Sequence, residues 1–217
     1  LSSSAAVYGA PKEFPITEDS LKKPVNPYGE SKLIAEHILS SYEQALNLNW
    51  AAFRYFNVAG AYAGVGPDYP FVSHVIPALF DAAYKNKPFT INGNDYATDD
   101  GTCVRDFVHV ADIGRAHVIA AEKMLNGETL SQPLNLGSSS GYSVKQITDQ
   151  FIASTGKQLD VSYAPRRPGD PDKLVASNER AHAILGWEPE LGLEAIITDQ
   201  AKWYEALPPT ARVKNIA

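Results

Sequence analysis

The feature that most constrains the fold is an alternation of short apolar runs with segments of helical periodicity. Residues 49–56 form an apolar run of strand length, which predicts a strand buried on both faces. Residues 27–46 before it and 71–86 after it place apolar side chains at helical spacing, and Pro77 predicts a kink or a late start in the second segment. This alternation indicates an α/β chain with a mainly parallel sheet, whose ligands bind beyond the carboxyl ends of the strands.

Capping residues and turns set the bounds of the other predicted elements. The pair Asn26-Pro27 opens the first helix, because proline suits a first turn. Ser143 caps a helix that Gly156 stops, and Ser177 caps a shorter helix that ends at Gly186. The remaining predictions are strands over residues 89–91, 104–109, 134–137 and 159–163, and helices over residues 112–124 and 193–207.

Composition argues against several classes of protein. The 217 residues are 44% hydrophobic, which is enough for one large domain or a domain with a lobe. A net charge of −6 disfavours nucleic-acid or anionic-membrane binding, and no apolar run approaches the ~20 residues of a membrane span. The single cysteine, Cys103, forms no intramolecular disulfide, which suits a reducing cytoplasm. The histidines show no metal-ligand spacing, so we predict no metal.

The sequence YGESK at residues 28–32 places a tyrosine and a lysine four residues apart, on one face of a helix. An ammonium beside a phenol favours the phenolate, whose pKa is about 10 when unperturbed. The hydroxyl of Ser4, which lies 24 residues before Tyr28, could relay a proton to or from a substrate alcohol. The same spacing suits any amphipathic helix, so the pair alone leaves a plain surface role open.

Two more side chains are predicted to share a crevice with Tyr28. Ser4 and Asn57 each follow a predicted strand, so both should lie at the ligand-binding edge of the sheet. The first residues of the chain resemble the end of a buried strand, and no capping or turn residue precedes them. We therefore expect a fragment, whose sheet begins upstream of Leu1.

Several stretches together resemble the extended short-chain dehydrogenase/reductase family and, within it, the nucleotide-sugar epimerases. They occur in the family's order from residue 2 to residue 170, so the similarity covers essentially the whole chain. The family's opening GxxGxxG turn, which places a pyrophosphate at a helix N-terminus, has no counterpart here. The matching stretches are SSSAAVYG (2–9), NPYGESK (26–32), RYFNVAGA (54–61), GNDYATDDGTCVRDFVHVADIGRAH (93–117), LNLGSSSGYSV (134–144) and APRRPGD (164–170).

The resemblance implies the C-terminal part of a Rossmann-type doubly wound parallel sheet, with a smaller α/β substrate-binding lobe. Residues 1–60 would be the remainder of the NAD-binding Rossmann domain, to which segments near residues 104–140 return. Residues 61–217 would mainly form the substrate-binding lobe, and the N-terminal GxxGxxG half would be absent. Family members are commonly homodimers, so the resemblance implies a homodimer for the full-length protein, with the helix of Tyr28 near the interface.

The resemblance also implies a reaction. It is the reversible inversion of C4 of a UDP-hexose, between UDP-galactose and UDP-glucose, through a 4-keto intermediate with bound NAD. Tyr28 matches the base, and Ser4 matches the hydroxyl that bridges to O4. Lys32 matches the lysine that lowers the tyrosine pKa and bonds the nicotinamide ribose. Tyr55 and Phe56 should border the nicotinamide.

The same resemblance assigns substrate-binding residues. Arg105 and Arg167 match two arginines that bind the diphosphate, a role that suits the planar guanidinium fork. Asn57 matches an amide at the sugar diphosphate, and Asp170 matches the carboxylate that holds the uridine ribose. Arg166 could simply face solvent. His74, Val75 and Asn92 would line the uracil pocket, and Thr90 and Ile91, just before Asn92, are two further substrate-binding residues.

Two other interpretations remain open, whereas a dehydratase is disfavoured. Dehydratases of the family place Asp-Glu just after the serine or threonine, where this chain has Ala5-Ala6, which argues against elimination chemistry. Leu174 is intermediate in size at the position that gates N-acetylated sugars, which leaves another epimerase open, for UDP-N-acetylglucosamine or a uronate. Without its NAD-binding half, the chain could also be a non-catalytic sugar-nucleotide-binding fragment, and we expect it to be inactive alone.

Overall fold

The computed structural model describes residues 1–68, 72, 74–167 and 169–208 of the chain. A 3-10 turn, Ala5–Tyr8, follows the first strand. The strands are β1 (Ser2–Ser4), β2 (Ala51–Tyr55), β3 (Asn57–Ala59), β4 (Phe89–Asn92), β5 (Val104–Arg105), β6 (Phe107–His109), β7 (Gln132–Leu136), β8 (Tyr142–Ser143), β9 (Val161–Ala164) and β10 (Lys173–Leu174). The helices are α1 (Pro27–Leu46), α2 (Val75–Lys85), α3 (Val110–Leu125), α4 (Val144–Thr155), α5 (Glu179–Leu185) and α6 (Leu193–Ala206).

A parallel sheet with the order β1-β2-β7 forms the first layer of the molecule. Phe53 and Leu134 pack on one face against α3 and against Trp187, which is fully buried just after α5. The next residue, Arg54, points to the other face, where its guanidinium forms an ion pair with Glu36 of α1 at 2.6 Å. Successive strand residues alternate between the two faces of a sheet. Strand β2 therefore contacts the apolar core on one face and α1 on the other.

A second core lies between α2, α4 and α6. Phe80, Phe151 and Ile196 come one from each helix, and all three are fully buried. The Phe80 and Phe151 rings meet edge to face, with centroids 5.0 Å apart. Around this core, β3 pairs with β6 and β4 with β9, both in parallel, while β5 pairs with β10 in parallel and with β8 antiparallel.

The predicted fold class is confirmed, since helices alternate with short strands that are mostly parallel. Helix α4 has the predicted bounds, because Ser143 and Gln146 form a capping box and Gly156 ends the helix in a left-handed conformation at φ 68°. The late start suggested by Pro77 is also confirmed, because α2 begins at Val75. The start predicted at residue 71 lies outside the described residues.

The prediction that Ser177 caps α5 holds for its side chain, because its hydroxyl accepts a hydrogen bond from the backbone nitrogen of Glu179 at 3.4 Å, although Asn178 is the residue that directly precedes the helix and makes no side-chain capping bond. One local prediction was wrong. The strand predicted over residues 104–109 is two strands, which separate at Asp106. The Asp106 carboxylate accepts hydrogen bonds from the backbone of Ser138, Ser139 and Ala176 and from the Ser138 hydroxyl. This buried carboxylate links three chain segments, and burial raises its pKa.

None of the described helices combines the length and the apolar character that a membrane crossing requires. Within the same described residues, no group of three or more His, Cys, Asp or Glu side chains is arranged to hold a metal ion. The prediction of no metal stays a prediction.

His109 caps α3 with its imidazole ring. Nδ1 accepts a hydrogen bond from the backbone nitrogen of Ala111 at 3.0 Å, and the side chain is fully buried. Nε2 lies 3.5 Å from Oδ2 of Asp199, which is long for a hydrogen bond. Burial lowers the pKa of His109, and it outweighs the opposing effects of Asp199 and Asp112.

We therefore expect the full-length protein to lose stability as the pH falls below about 6.5, the pKa of histidine in an unfolded chain. The unfolded histidine takes up a proton at a higher pH than the folded one, so acid favours unfolding. His109→Asn keeps a capping acceptor and removes the titration, so it should flatten this part of the stability curve, measured by urea unfolding at several pH values. An unchanged slope in His109→Asn would contradict the assignment.

Candidate active site

Three cavities meet at Asn57, which begins β3. The first, of about 470 Å³, is lined by Ser4, Tyr28 and Phe56 among others. The second, of about 290 Å³, is also lined by Ser4 and extends to Arg105. The third, of about 240 Å³, begins at Arg105 and reaches the residues of β4. Because Asn57 lines all three, they form one continuous crevice.

Close packing of α1 on the 3-10 turn brings Tyr28 and Ser4 together. A Cβ atom on Gly29 would lie 2.5 Å from the carbonyl oxygen of Ala6, so only glycine allows this approach. Ser4 ends β1, and its hydroxyl oxygen accepts a hydrogen bond from the backbone nitrogen of Ala6 at 3.2 Å. The Tyr28 side chain is 56% exposed, which leaves its phenol accessible from the first cavity.

Lys32 lies one helical turn after Tyr28. Its Nζ donates a hydrogen bond to the carbonyl oxygen of Ser2 at 3.0 Å and lies 5.5 Å from the centre of the Tyr28 ring. The ammonium is therefore tethered to β1 on the same side of α1 as the phenol. The structure thus groups the three residues that the sequence predicts as catalytic.

Tyr55 and Phe56 lie at the end of β2 beside the same cavity. The Tyr55 hydroxyl lies 2.8 Å from Oγ of Ser2 and 2.8 Å from Nε2 of His117, and burial raises its pKa. Nδ1 of His117 faces the carbonyl oxygen of Ile113 at 2.9 Å, so Nδ1 carries the proton and Nε2 accepts from Tyr55. The Tyr55 hydroxyl is thus already engaged by the protein, whereas Phe56 packs in a core cluster with Tyr8 and Leu33 and also lines the first two cavities.

Arg105 and Asp170 face each other at the junction of the second and third cavities. Nη2 of Arg105 lies 3.1 Å from Oδ1 of Asp170. Nη1 donates hydrogen bonds to the carbonyl oxygens of Pro171 at 3.0 Å and Val104 at 2.8 Å. The guanidinium is therefore held by the loop that precedes β10, in a position to meet an anion in the crevice.

The third cavity gathers the residues that the sequence predicts for a uracil pocket, together with Arg167 from the loop after β9. Ile91 is buried in the cavity wall. Sequence reasoning missed Phe89 and Phe107, which are also buried and form an apolar wall of this cavity. The sequence contained a signal for both, because each is an aromatic residue within two positions of a residue already selected. Other predicted substrate-binding residues that line it are His74, Val75, Thr90 and Asn92.

The crevice carries two chemical groups of side chains. A hydroxyl, a phenol and an ammonium at one end suit proton transfer to and from an alcohol. Two guanidinium groups further along suit phosphate. A mainly parallel sheet with its crevice beyond the strand ends defines part of a Rossmann-type α/β fold.

The chain matches the family model described as GDP-mannose 4,6 dehydratase over residues 1–200, and it belongs to this family. It is 42% identical over 211 residues to the UDP-glucose 4-epimerase of Lactobacillus helveticus, a match that covers 95% of this chain and 64% of that protein. The crystal structure of a UDP-glucose 4-epimerase matches with a TM-score of 0.91 and 40% identity, and covers 96% of this chain and 64% of that one.

The UDP-glucose 4-epimerase of Bifidobacterium longum, in complex with NAD⁺ and UDP, matches with a TM-score of 0.86 and 34% identity over 98% of this chain and 64% of that one. The chain therefore spans slightly less than two thirds of the length of these relatives.

Proposed function

We propose that the full-length protein inverts C4 of a UDP-hexose, interconverting UDP-galactose and UDP-glucose with bound NAD. The observation that carries this proposal is the grouping of Ser4, Tyr28 and Lys32 at one end of the crevice that Arg105 and Asp170 border further along. A sugar at the first end and a diphosphate beside the guanidinium would suit such a crevice. The UDP-glucose 4-epimerases that resemble this chain support the same activity.

Tyr28 would remove the proton from the sugar O4 and later return it. Ser4 would hold O4 by a hydrogen bond and guide the proton, because its hydroxyl lines the same cavity. Lys32 would bind the nicotinamide ribose, since its Nζ is held at β1 on the same side of α1 as the Tyr28 phenol. The residues present fit the nicotinamide end of NAD, because the Phe56 ring and the Tyr28 phenol border a cavity of about 470 Å³. Bound NAD would supply the acceptance and return of a hydride at C4.

The remaining crevice residues would bind the nucleotide. Arg105 and Arg167 would neutralise the diphosphate, with Asn57 beside it, and Asp170 would accept hydrogen bonds from the ribose. The uracil would lie in the third cavity between β4 and the start of α2, where Ile91 is buried. These residue roles follow from the family motifs and from the shared lining of the crevice.

Elimination chemistry is disfavoured, although the family model carries the description of a dehydratase. A 4,6 elimination needs an additional acid and base near the sugar. The residues after Ser4 that line the crevice are Ala5 and Ala6, whose methyl groups neither accept nor donate protons. Leu174 lines the same cavity, and the choice between UDP-hexoses and N-acetylated or uronate substrates rests on its size.

We also propose a cytoplasmic homodimer that uses the surface of α1. Ile34, Ile38 and Tyr42 lie four residues apart on this helix and are 49%, 52% and 53% exposed. Such an apolar stripe on an otherwise polar helix suits a contact with a second copy.

The proposed domain division follows the family. Residues 1–60, with the segments near 104–140, would form the remainder of an NAD-binding domain, and residues 61–217 would mainly form the substrate lobe. The 217 residues by themselves would be inactive.

The test is to incubate the full-length protein with UDP-galactose and NAD⁺ and to follow the products by proton NMR. Formation of UDP-glucose up to an equilibrium mixture is the expected result. A 4-keto-6-deoxy product would point to a dehydratase instead. Binding of UDP with no conversion of any UDP-hexose would favour a non-catalytic binding protein, and conversion only of N-acetylated or uronate substrates would favour a different epimerase.

A further inference from the structure

A buried tyrosine hydroxyl near the loop that carries Arg167 and Asp170 has no partner in the described part of the chain. Tyr96 follows β4 and is 3% exposed, yet its hydroxyl makes no hydrogen bond to any described residue. A polar group that is buried without a partner is costly, because it has lost its hydrogen bonds to water. Such a group in a native fold calls for an explanation, and binding of a ligand is one.

The ring of Tyr96 is held firmly in place. The guanidinium carbon of Arg166 lies 4.2 Å from the ring centre, which is a cation–π contact. On another side, a Cβ atom on Gly93 would lie 2.3 Å from the ring, so only glycine fits there. The hydroxyl is therefore fixed by the position of the ring and cannot turn away to find water.

Arg166 also joins two loops of the crevice. It donates hydrogen bonds to the side chain and the backbone of Asp95, and its Nη1 lies 3.3 Å from Asp172. The sequence left Arg166 as a residue that could simply face solvent, and its side chain is indeed 38% exposed, but it also links the loop after β4 to the loop after β9. The second of these loops carries Arg167 and Asp170, which line the third cavity.

Tyr96 lies close enough to Asp170 to feel its charge. Burial raises the pKa of Tyr96, the charge of Asp170 raises it further, and Arg105 acts in the opposite direction. Asp170 is now paired with Arg105 at 3.1 Å. An anion that bound Arg105 would compete for this guanidinium, which would free Oδ1 of Asp170 to accept another hydrogen bond while the other carboxylate oxygen accepts from the ribose. The Tyr96 hydroxyl is a donor with no partner among the described residues, and Arg166 holds its ring close to the loop of Asp170.

We propose that Tyr96 is a positioning residue of the nucleotide site, whose hydroxyl donates a hydrogen bond to Asp170 when a nucleoside diphosphate binds Arg105. Arg166 contacts both the Tyr96 ring and the loop of Asp170, and so holds the two close enough for this hydrogen bond to form. The inference rests on the proposed function for the identity of the nucleotide. The proposal adds the Tyr96 hydroxyl to the site, as a donor that has no partner in the free protein and gains one in the complex.

Tyr96→Phe in the full-length protein tests this exchange, with UDP as the probe in titration calorimetry. The dissociation constant for UDP should rise about tenfold, the value of one hydrogen bond to a charged group. The melting temperature without UDP should stay the same or rise, because the variant removes an unpaired polar group. KM for UDP-galactose should rise while kcat stays unchanged, since the hydroxyl lies away from the reacting carbon.

Two controls make the result specific. Tyr163→Phe removes an exposed hydroxyl from β9, just before the same loop, and should leave UDP binding unchanged. In an Asp170→Ala background, Tyr96→Phe should have no further effect, because the two residues act as one unit.

An unchanged affinity in Tyr96→Phe would overturn the inference, and so would a full effect in the Asp170→Ala background or a drop in melting temperature without UDP. A wild-type protein that binds UDP but converts no UDP-hexose would overturn the proposed function alone.

Discussion

Tyr28→Phe in the full-length protein is expected to lower kcat for UDP-galactose about 10²–10⁴-fold, the usual contribution of a positioned acid–base group. The substitution removes only the phenolic hydroxyl, which borders the first cavity together with Ser4. UDP binding should be unchanged, because the nucleotide would lie in the third cavity beside Arg105. The measurements are steady-state turnover by NMR and titration calorimetry with UDP.

Tyr163→Phe is the matched control, since Tyr163 lies on β9, is 49% exposed and does not line the first cavity. It should turn over at the wild-type rate. If Tyr28→Phe retained wild-type turnover, the assignment of Tyr28 as the base would be refuted. If Tyr28→Phe lost activity together with its melting temperature, the loss would belong to the stability of α1 and not to proton transfer.

Glu36→Ala is expected to destabilise the full-length protein by about 3–5 kcal/mol, the cost of leaving a buried charge without its partner. Glu36 lies one turn after Lys32, and both of its oxygens accept hydrogen bonds from Arg54. The Arg54 and Glu36 side chains are only 2% and 5% exposed. Oγ of Ser3 donates a further hydrogen bond to Glu36. Urea unfolding of the variant and the wild type measures the difference.

Asp149→Ala breaks a contrasting ion pair on α4, where Lys145 and Asp149 are 46% and 59% exposed. Its cost should be much smaller than that of Glu36→Ala, because water and salt screen an exposed pair. A cost for Glu36→Ala no larger than that of Asp149→Ala would show that α1 does not depend on the buried contact.

Local chemistry made several elements predictable. Helix α4 begins at a capping box and ends at a glycine in the left-handed region, and both signals lie within the helix and its neighbours. Helix α1 likewise begins with Asn26, whose side chain accepts a hydrogen bond from the backbone of Gly29 at 2.8 Å. In each case the residues that set the bound are three or four positions apart, so the sequence contains the whole interaction.

Long-range contacts made other features unpredictable. The break between β5 and β6 lies where the chain changes partners, because β5 pairs with β10 and β6 pairs with β3. At the break, the Asp106 carboxylate bonds to Ser138, Ser139 and Ala176, which are 32 to 70 residues away. No local sequence pattern indicates hydrogen-bond partners at such separations.

The candidate site divides in the same way. The sequence by itself determined which side chains can transfer a proton or bind phosphate, because Tyr28, Lys32 and Arg105 are identified by residue type and motif. Only the tertiary structure decided that three cavities join at Asn57 and that the Tyr96 hydroxyl is buried without a partner. The physical reason is that burial and hydrogen-bond satisfaction depend on neighbours from other elements, whereas periodicity and capping depend on neighbours in the chain.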